Sequence, residues 1–175
     1  MDAERAVHLD TEQAVTLVPS RYEEWVRRFA QMAAVIEPIV PDATIEHIGS
    51  TAVPDQPAKD VVDLLIGVDA QSVVPAARRL VAAGFDLEGE LDHHCWLSSP
   101  DRRDRAFVLH VVEHGSRAWN RRMAFRDLLR ADESARRAYL QVKEHAARQS
   151  RGWDDYTLAK SSVVAELLAG ADAED

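Results

Sequence analysis

The first part of the chain carries apolar residues at helical spacing. From Tyr22 to Ile36 they recur every three or four positions, which is typical of an amphipathic helix. Ser20 and Glu23 stand at the spacing of a capping box just before this stretch. We therefore predict a long helix that ends near Pro38.

Two short apolar runs and a second helical stripe follow. Residues 44–48 and 61–68 are rich in β-branched and apolar side chains, so we predict two strands joined by a loop. Residues 73–83 return to helical period, and Gly84 stands where a helix C-cap is expected.

The middle of the chain predicts further strands, and the end predicts helices. Short strands are expected at residues 85–87 and 94–98, and a clear strand at residues 105–112. After Ser116 the pattern is helical in three stretches, with Gly152 between the last two. This order indicates an α+β fold in which helices pack on a mixed or antiparallel sheet.

Length and charge limit the classes of function. A chain of 175 residues predicts one domain. Its 30 acidic and 21 basic residues give a formal net charge of -9 and a pI near 5.2, so nucleic acid is not the expected partner. The arginines cluster locally, which is compatible with one positively charged cleft for a small anionic ligand.

The cysteine count and the length of the apolar runs bear on location. Cys95 is the only cysteine, which excludes an internal disulfide and a zinc site made of cysteines alone. The first ten residues do not resemble a secretory signal, and no apolar run is as long as a membrane-spanning helix requires. We therefore expect a soluble, cytoplasmic protein with no membrane partner.

A carboxylate interrupts the second apolar run. Asp63 lies within residues 61–68, where an unpaired charge is costly, so it is either part of a structural ion pair or a metal ligand or base that faces a cleft. Gly49, Ser50 and Thr51 leave the preceding strand. A glycine followed by hydroxyl side chains can bind phosphate oxygens, although the same residues also form turns without a ligand. If both features are functional, they indicate a single site.

Several segments together resemble one known family. They are IEHIGSTAVPDQPAKDVVDLLIGV, FVLHVVEHGSRAWNRRMAFRDLLRAD, AYLQVK and YTLAKSSVVAELL, and they resemble the GrpB family, whose members look like a branch of the nucleotidyltransferase superfamily. The resemblance covers the core at about residues 15–168 of a single domain 1–175. It implies a nucleotidyltransferase-like sheet with C-terminal helices that close a cleft.

The resemblance also implies site residues. In the superfamily a Gly-Ser turn holds the phosphates of a nucleotide, and carboxylates on the following strand and on a later strand hold Mg²⁺. Gly49, Ser50 and Asp63 match this pattern. Val61 and Leu65 stand where the second carboxylate of a pair would be, so the paired signature is missing.

Two further site residues follow from the same resemblance. His110, in the LHVV segment, stands where a third acidic ligand is otherwise sought, and we predict that it faces Asp63 as a metal ligand or base. A hydrogen-bonded core histidine is the alternative. Lys59 is expected to balance ligand phosphates, with a solvated loop lysine as the alternative. The predicted cofactor is Mg²⁺ at Asp63 and His110.

The C-terminal helices repeat a Tyr-x-x-x-Lys spacing. Tyr139 with Lys143, and Tyr156 with Lys160, each share one helix face. These pairs either contact a ligand's phosphates and base or cover the core with their apolar stems. Arg126 is a candidate anion clamp, because a guanidinium matches a phosphate in a bidentate fork.

Three hypotheses about function follow. The first is an enzyme that transfers a nucleotidyl or related phosphate-containing group to a small acceptor, with Asp63 and His110 as catalytic residues. The second is a module that binds a nucleotide or coenzyme A without turning it over, since GrpB-like domains also occur fused to dephospho-coenzyme A kinase. The third is a protein-interaction domain on the same fold.

Overall fold

The structure is a computed structural model that describes residues 15–150 and 152–172. None of the described helices is long and apolar enough to cross a membrane. The helices are α1 (Tyr22–Ile36), α2 (Val73–Ala82), α3 (Arg117–Ala131), α4 (Glu133–Gln149) and α5 (Trp153–Asp172). The strands are β1 (Thr44–Ile48), β2 (Val62–Val68), β3 (Asp86–Leu91), β4 (His94–Ser99) and β5 (Phe107–Glu113).

The strands form one mixed sheet in the order β1-β2-β5-β4-β3. β2 and β5 are parallel neighbours, while the other neighbouring strands are antiparallel. Because α2, β3 and β4 lie between β2 and β5 in sequence, this parallel pair has the long crossover that such strands require. The predicted α+β class with helices on a mixed sheet is confirmed.

One side of the sheet, which we call the core face, carries the main hydrophobic core. Leu64 and Ile66 of β2 point to this side, where α1 and α2 cover them. Trp25 of α1 and Leu80 of α2 are fully buried there. The β-branched and apolar runs of the sequence therefore became strands because their alternate side chains fill this core.

The opposite side, which we call the cavity face, is packed differently. Leu65 and Val112 contact Trp119 of α3 in a small apolar cluster. A further cluster, which includes Leu129 and Tyr139, joins α3, α4 and α5 to one another. The three C-terminal helices therefore stand over this face.

The predicted strand bounds differ most from the structure at β3. The pattern predicted residues 85–87, whereas the strand is Asp86–Leu91 at the edge of the sheet. Glu88, Gly89 and Glu90 lack the β-branched and apolar signature, because an edge strand beside solvent does not need it. The other four strands lie within two residues of their predicted bounds.

Candidate functional site

A cavity of about 590 Å³ lies between the cavity face of the sheet and helices α3, α4 and α5. Its volume is within the range of about 300–1,000 Å³ that is usual for ligand pockets. Ser50, Lys59, Asp63 and His110 all border it. The structure therefore brings the predicted phosphate-binding turn, the carboxylate and the histidine to one place.

The turn after β1 lies directly against Asp63. Gly49 has a φ of 74° and a ψ of -173°, a combination that essentially only glycine adopts. A Cβ atom at this position would lie 2.5 Å from Oδ2 of Asp63. Ile48 pairs with Asp63 across the β1–β2 ladder, so the turn closes beside the carboxylate. The missing side chain at residue 49 is thus what makes room for Asp63.

Three lysines converge on this cavity. Lys59 precedes β2, Lys143 belongs to α4 and Lys160 to α5, and all three border the cavity. They are the only lysines in the chain, in which the other 18 of the 21 basic residues are arginines. A lysine carries a compact ammonium whose pKa responds to its surroundings, whereas an arginine stays charged. The position of the lysines therefore marks the cavity as chemically distinct from the rest of the surface.

The cavity disfavours the charged form of its lysines. Burial, with repulsion from Lys59, lowers the pKa of Lys143 to about 7. Lys143 is 1% exposed and donates a hydrogen bond to the carbonyl oxygen of Pro57. Burial also lowers the pKa of Lys59 to about 8, although Asp63 opposes this shift. Burial and repulsion from Lys59 lower the pKa of Lys160. An anionic ligand would therefore stabilise all three ammonium groups.

Each tyrosine of the two Tyr-x-x-x-Lys pairs lies under its lysine. The ammonium of Lys143 lies 5.4 Å from the ring centre of Tyr139, and that of Lys160 lies 3.9 Å from the ring centre of Tyr156. Both rings are buried, and burial raises the pKa of Tyr139 to about 12. The tyrosine rings are thus part of the core, which is one interpretation of this motif. All four side chains also border the cavity, as the interpretation as ligand contacts requires.

His110 shares the cavity with a second histidine. Nδ1 of His110 lies 3.1 Å from Nε2 of His94 on β4. Burial, with the positive charge of Arg122, lowers the pKa of His94 to about 4 and that of His110 well below its usual value. In the parallel β2–β5 ladder, Asp63 pairs with Val108 and Leu65 pairs with His110. Asp63 and Leu65 are alternate residues of β2, so Asp63 and His110 lie on the same face of the sheet. Neutral imidazoles are therefore expected beside the carboxylate at pH 7.

The donor atoms do not fit the carboxylate arrangement that the superfamily uses for Mg²⁺. Asp63 has Val61 and Leu65 as its alternate neighbours, and Glu88 at the cavity accepts hydrogen bonds of 2.7 and 2.5 Å from Arg105. Within residues 15–150 and 152–172, no group of three or more His, Cys, Asp or Glu side chains is placed to hold a metal. Mg²⁺ at Asp63 and His110 stays a prediction from the resemblance.

Arg126 is not the anion clamp that the sequence predicted. Its guanidinium donates to Glu46 at 2.7 Å, to Asp127 at 2.8 Å and to the carbonyl oxygen of His47 at 3.2 Å. These bonds fasten α3 to β1, and the side chain is only 10% exposed. The prediction is wrong because carboxylates of the protein already occupy the fork that a phosphate would need.

The two hydroxyls of the turn have different surroundings. Thr51 borders the cavity, but its Oγ1 lies 3.0 Å from Nε2 of His47. The ring of His47 in turn stacks on Phe29 of α1, with the ring centres 4.9 Å apart. Ser50 interacts instead with Tyr139 at the cavity. The hydroxyl of Thr51 therefore contacts His47 on the core face, whereas the hydroxyl of Ser50 lies at the cavity.

Sequence reasoning missed two residues and one signal. His94 and Arg122 border the cavity, and neither was predicted as a site residue. His94 contacts His110 only because β4 pairs with β5, which the sequence does not reveal. The signal was the number of lysines. The chain has only three lysines beside 18 arginines, and they are Lys59 and the lysines of the two Tyr-x-x-x-Lys pairs.

The sequence matches one family over most of its length. The family model described as "GrpB protein" matches residues 14–169. A UPF0157 protein from Deinococcus radiodurans is 43% identical over 148 residues, which cover 84% of this chain and 77% of that protein. A dephospho-CoA kinase from Mycobacterium bovis is 34% identical over 136 residues, which cover 62% of this chain and 33% of the kinase.

Solved structures share the fold. The crystal structure of conserved protein GrpB from Enterococcus faecalis has a TM-score of 0.73 and 24% identity, and the match covers 89% of this chain and 99% of that one. A structure of the Cid1 poly(U) polymerase has a TM-score of 0.53 and 16% identity, and the match covers 83% of this chain and 49% of that one. At these identities the likeness concerns the fold alone, and it confirms the predicted nucleotidyltransferase-like fold.

Proposed function

This chain belongs to the GrpB family, and we propose that its cavity binds a nucleotide through the nucleotide's phosphate groups. One observation carries the proposal: Lys59, Lys143 and Lys160, the only lysines of the chain, meet at one cavity beside the turn that contains Gly49 and Ser50. Ammonium groups and the backbone donors of such turns are common partners of phosphate oxygens.

The charges around the cavity support an anionic ligand. Arg122 borders the cavity together with the three lysines, and Asp63 acts electrostatically on all four of these cations. Glu88 and Arg105 are paired with each other. One carboxylate against four cations leaves an excess of positive charge, although the whole chain carries a formal charge of -9. The charge at the cavity is therefore opposite in sign to the net charge of the chain, and it favours a phosphate-containing ligand.

The apolar part of the cavity suits a nucleobase. Trp96 of β4 and Phe125 of α3 border the same cavity as the lysines. Aromatic rings offer flat apolar surfaces on which a base can stack. In the arrangement that we propose, the phosphates lie at the lysines and the base lies against these aromatic side chains.

Thermal unfolding with a panel of ligands tests the proposal. The panel contains ATP, GTP, CTP, UTP, coenzyme A and dephospho-coenzyme A, each with and without Mg²⁺. The coenzyme A compounds are included because of the kinase from M. bovis that matches this chain. A ligand at 100 times its dissociation constant stabilises by about 2.7 kcal/mol. For a domain of this size we expect the midpoint to rise by about 5 to 10 °C.

Matched variants connect a shift to the cavity. Lys160→Met removes a cation of the cavity, and we expect it to reduce the ligand-induced shift. Arg148→Met removes an exposed cation of α4 away from the cavity, and we expect the full shift to remain. If no compound raises the midpoint of the native protein, the proposal is wrong and the protein-interaction hypothesis takes its place.

A second candidate is transfer of a nucleotidyl group to a small acceptor. The observation that favours it is the contact between the Gly49 turn and Asp63, on a fold shared with proteins whose names describe polymerase activity. In this candidate the acceptor hydroxyl attacks the α-phosphorus, pyrophosphate leaves, and the hydroxyl proton passes to the neutral His110. Mg²⁺ at Asp63 belongs to this candidate, and His110 acts in it either as a second ligand of the ion or as the base, since one imidazole does not do both.

Release of pyrophosphate tests the second candidate. The native protein is incubated with each nucleotide that binds and with alcohols and amines as acceptors, in the presence of Mg²⁺. We expect Asp63→Asn and His110→Gln to reduce the rate strongly while Arg148→Met leaves it unchanged. Binding without turnover under all these conditions would instead favour a non-catalytic binding module.

A further inference from the structure

We propose that Lys59, Lys143 and Lys160 together replace a divalent metal as the counter-charge of the ligand's phosphates, so that a nucleoside triphosphate binds here without metal. This inference rests on the proposed binding function and adds to it the means by which the phosphate charge is neutralised.

The composition of the site supports this replacement. Mg²⁺ at phosphate sites is usually held by one or two carboxylates together with the phosphates themselves. At this cavity the alternate neighbours of Asp63 are apolar, Glu88 is bound to Arg105, and His110 contacts His94. Beside Asp63 the protein instead presents the side chains of Lys59, Lys143 and Lys160.

The lysines reach the cavity from three separate elements. Lys59 stands on the loop before β2, while α4 and α5 supply Lys143 and Lys160. The bond from Lys143 to the carbonyl oxygen of Pro57 links α4 to that same loop. The packing of the helices on the sheet therefore brings the three lysines to one cavity, and this bond anchors the ammonium group of Lys143 there.

The charge of the cavity is large enough to neutralise most of a triphosphate without a metal. Three lysines and Arg122 against Asp63 leave a net charge of three positive units when every lysine is protonated. A free triphosphate chain carries about four negative charges near neutral pH, and Mg²⁺ would cancel two of them. The three positive units of the cavity therefore offset all but one of the charges of the free nucleotide, so that a metal is not needed for this neutralisation.

In this scheme Asp63 is a counter-ion of the lysines rather than a metal ligand. Asp63 raises the pKa of Lys59, Lys143 and Lys160 against the effect of burial. It therefore limits the repulsion among these cations while no ligand is bound. A phosphate chain that enters the cavity takes over this role and is repelled by the carboxylate. Removing the carboxylate should therefore leave metal-free binding intact or make it tighter.

The test is a calorimetric titration with ATP, and with inorganic tripolyphosphate as a phosphate-only probe. Each probe is titrated once with EDTA and once with excess Mg²⁺. We expect binding in EDTA that is as tight as with Mg²⁺ or tighter. Lys143→Met and Lys160→Met should each weaken it roughly 10- to 100-fold, since each removes a charge-assisted contact. Arg148→Met is the matched control and should bind as the native protein does.

Asp63→Asn separates the two schemes. If the carboxylate holds a metal, this variant loses its affinity for ATP, and the native protein binds only in the presence of Mg²⁺. That pair of results overturns the inference and leaves the proposed function in place. If neither probe binds under either condition, the inference is overturned, and the thermal-unfolding panel decides whether the proposed function stands. Binding in EDTA that Asp63→Asn retains, and that the two lysine variants lose, supports the inference. A circular dichroism spectrum of each variant establishes that it is folded.

Discussion

The two faces of the same sheet differ in what they bury: one carries an apolar core, and the other borders a cavity lined by charged side chains. The core face buries Leu64, Ile66 and Trp25 in one apolar cluster with side chains of α1 and α2. The cavity face places Asp63 and Lys143 at one pocket, where burial disfavours the charged form of Lys143. Since β2 contributes to both faces through alternate residues, one strand helps to build both the core and the cavity. The difference predicts that substitutions on the two faces affect different properties.

The largest expected effect is on the core face. Leu64 is fully buried, and Leu64→Ala should lower the free energy of unfolding by about 2–5 kcal/mol. Leu91 borders the cavity and is 48% exposed, so Leu91→Ala should change stability by less than about 1 kcal/mol. Urea denaturation of both variants measures this contrast. Equal losses in the free energy of unfolding would mean that the side chain at the cavity contributes as much to stability as the one in the core, against this prediction.

The next effect is at the turn that borders Asp63. Gly49→Ala places a methyl group 2.5 Å from Oδ2 of Asp63 and forces a φ of 74° on a residue with a side chain. We expect a loss of about 1–3 kcal/mol in stability. Unlike Leu64→Ala, this variant should also lose ligand affinity under conditions where it is fully folded. Gly84→Ala is the control, because its φ of 103° is also unfavourable while no atom lies within 4 Å of the added Cβ.

The core face could be predicted from the sequence more completely than the cavity. β1 and β2 have the regular apolar pattern that burial imposes, and their bounds agree with the prediction within one residue. Asp63 could be singled out because a charged side chain within such an apolar run is costly unless it has a partner. A pattern rule detects these features because they depend on neighbours along the chain.

The rest of the site depends on contacts between distant segments. Arg126 was assigned to a ligand because its partner Glu46 lies 80 residues away and the sequence does not show that the two meet. The bond from Lys143 to Pro57 spans 86 residues. The convergence of the three lysines follows from how α4 and α5 pack over the sheet, and local propensity does not specify that packing.

The dependence of stability on pH sharpens the contrast between the faces. Folded Lys143 has a pKa of about 7 in place of 10.5, so between these values the unfolded chain binds more protons. The free energy of unfolding should therefore rise between pH 7 and pH 9, by up to about 2 kcal/mol. Lys59 contributes with the same sign from its pKa of about 8. Above this window Tyr139, with its raised pKa, acts in the opposite direction.

Lys143→Met supplies the check on that slope. Methionine keeps an unbranched chain of similar length and removes the titrating group, so the rise between pH 7 and pH 9 should become smaller. Urea denaturation at the two pH values gives the slope for the native protein and the variant. An unchanged slope would assign the pH dependence to groups outside the cavity.

The smallest expected effect compares the adjacent hydroxyls of the turn. Thr51→Val removes the partner of Nε2 of His47 and should lower stability by about 0.5–1.5 kcal/mol, with nucleotide affinity unchanged. Ser50→Ala should show the reverse, weaker binding with little loss of stability, because Ser50 contacts Tyr139 at the cavity. Urea denaturation and ATP titration of both variants give the four values. If Thr51→Val weakens binding as much as Ser50→Ala does, the turn holds the ligand with both hydroxyls, and the division between the faces fails at this residue.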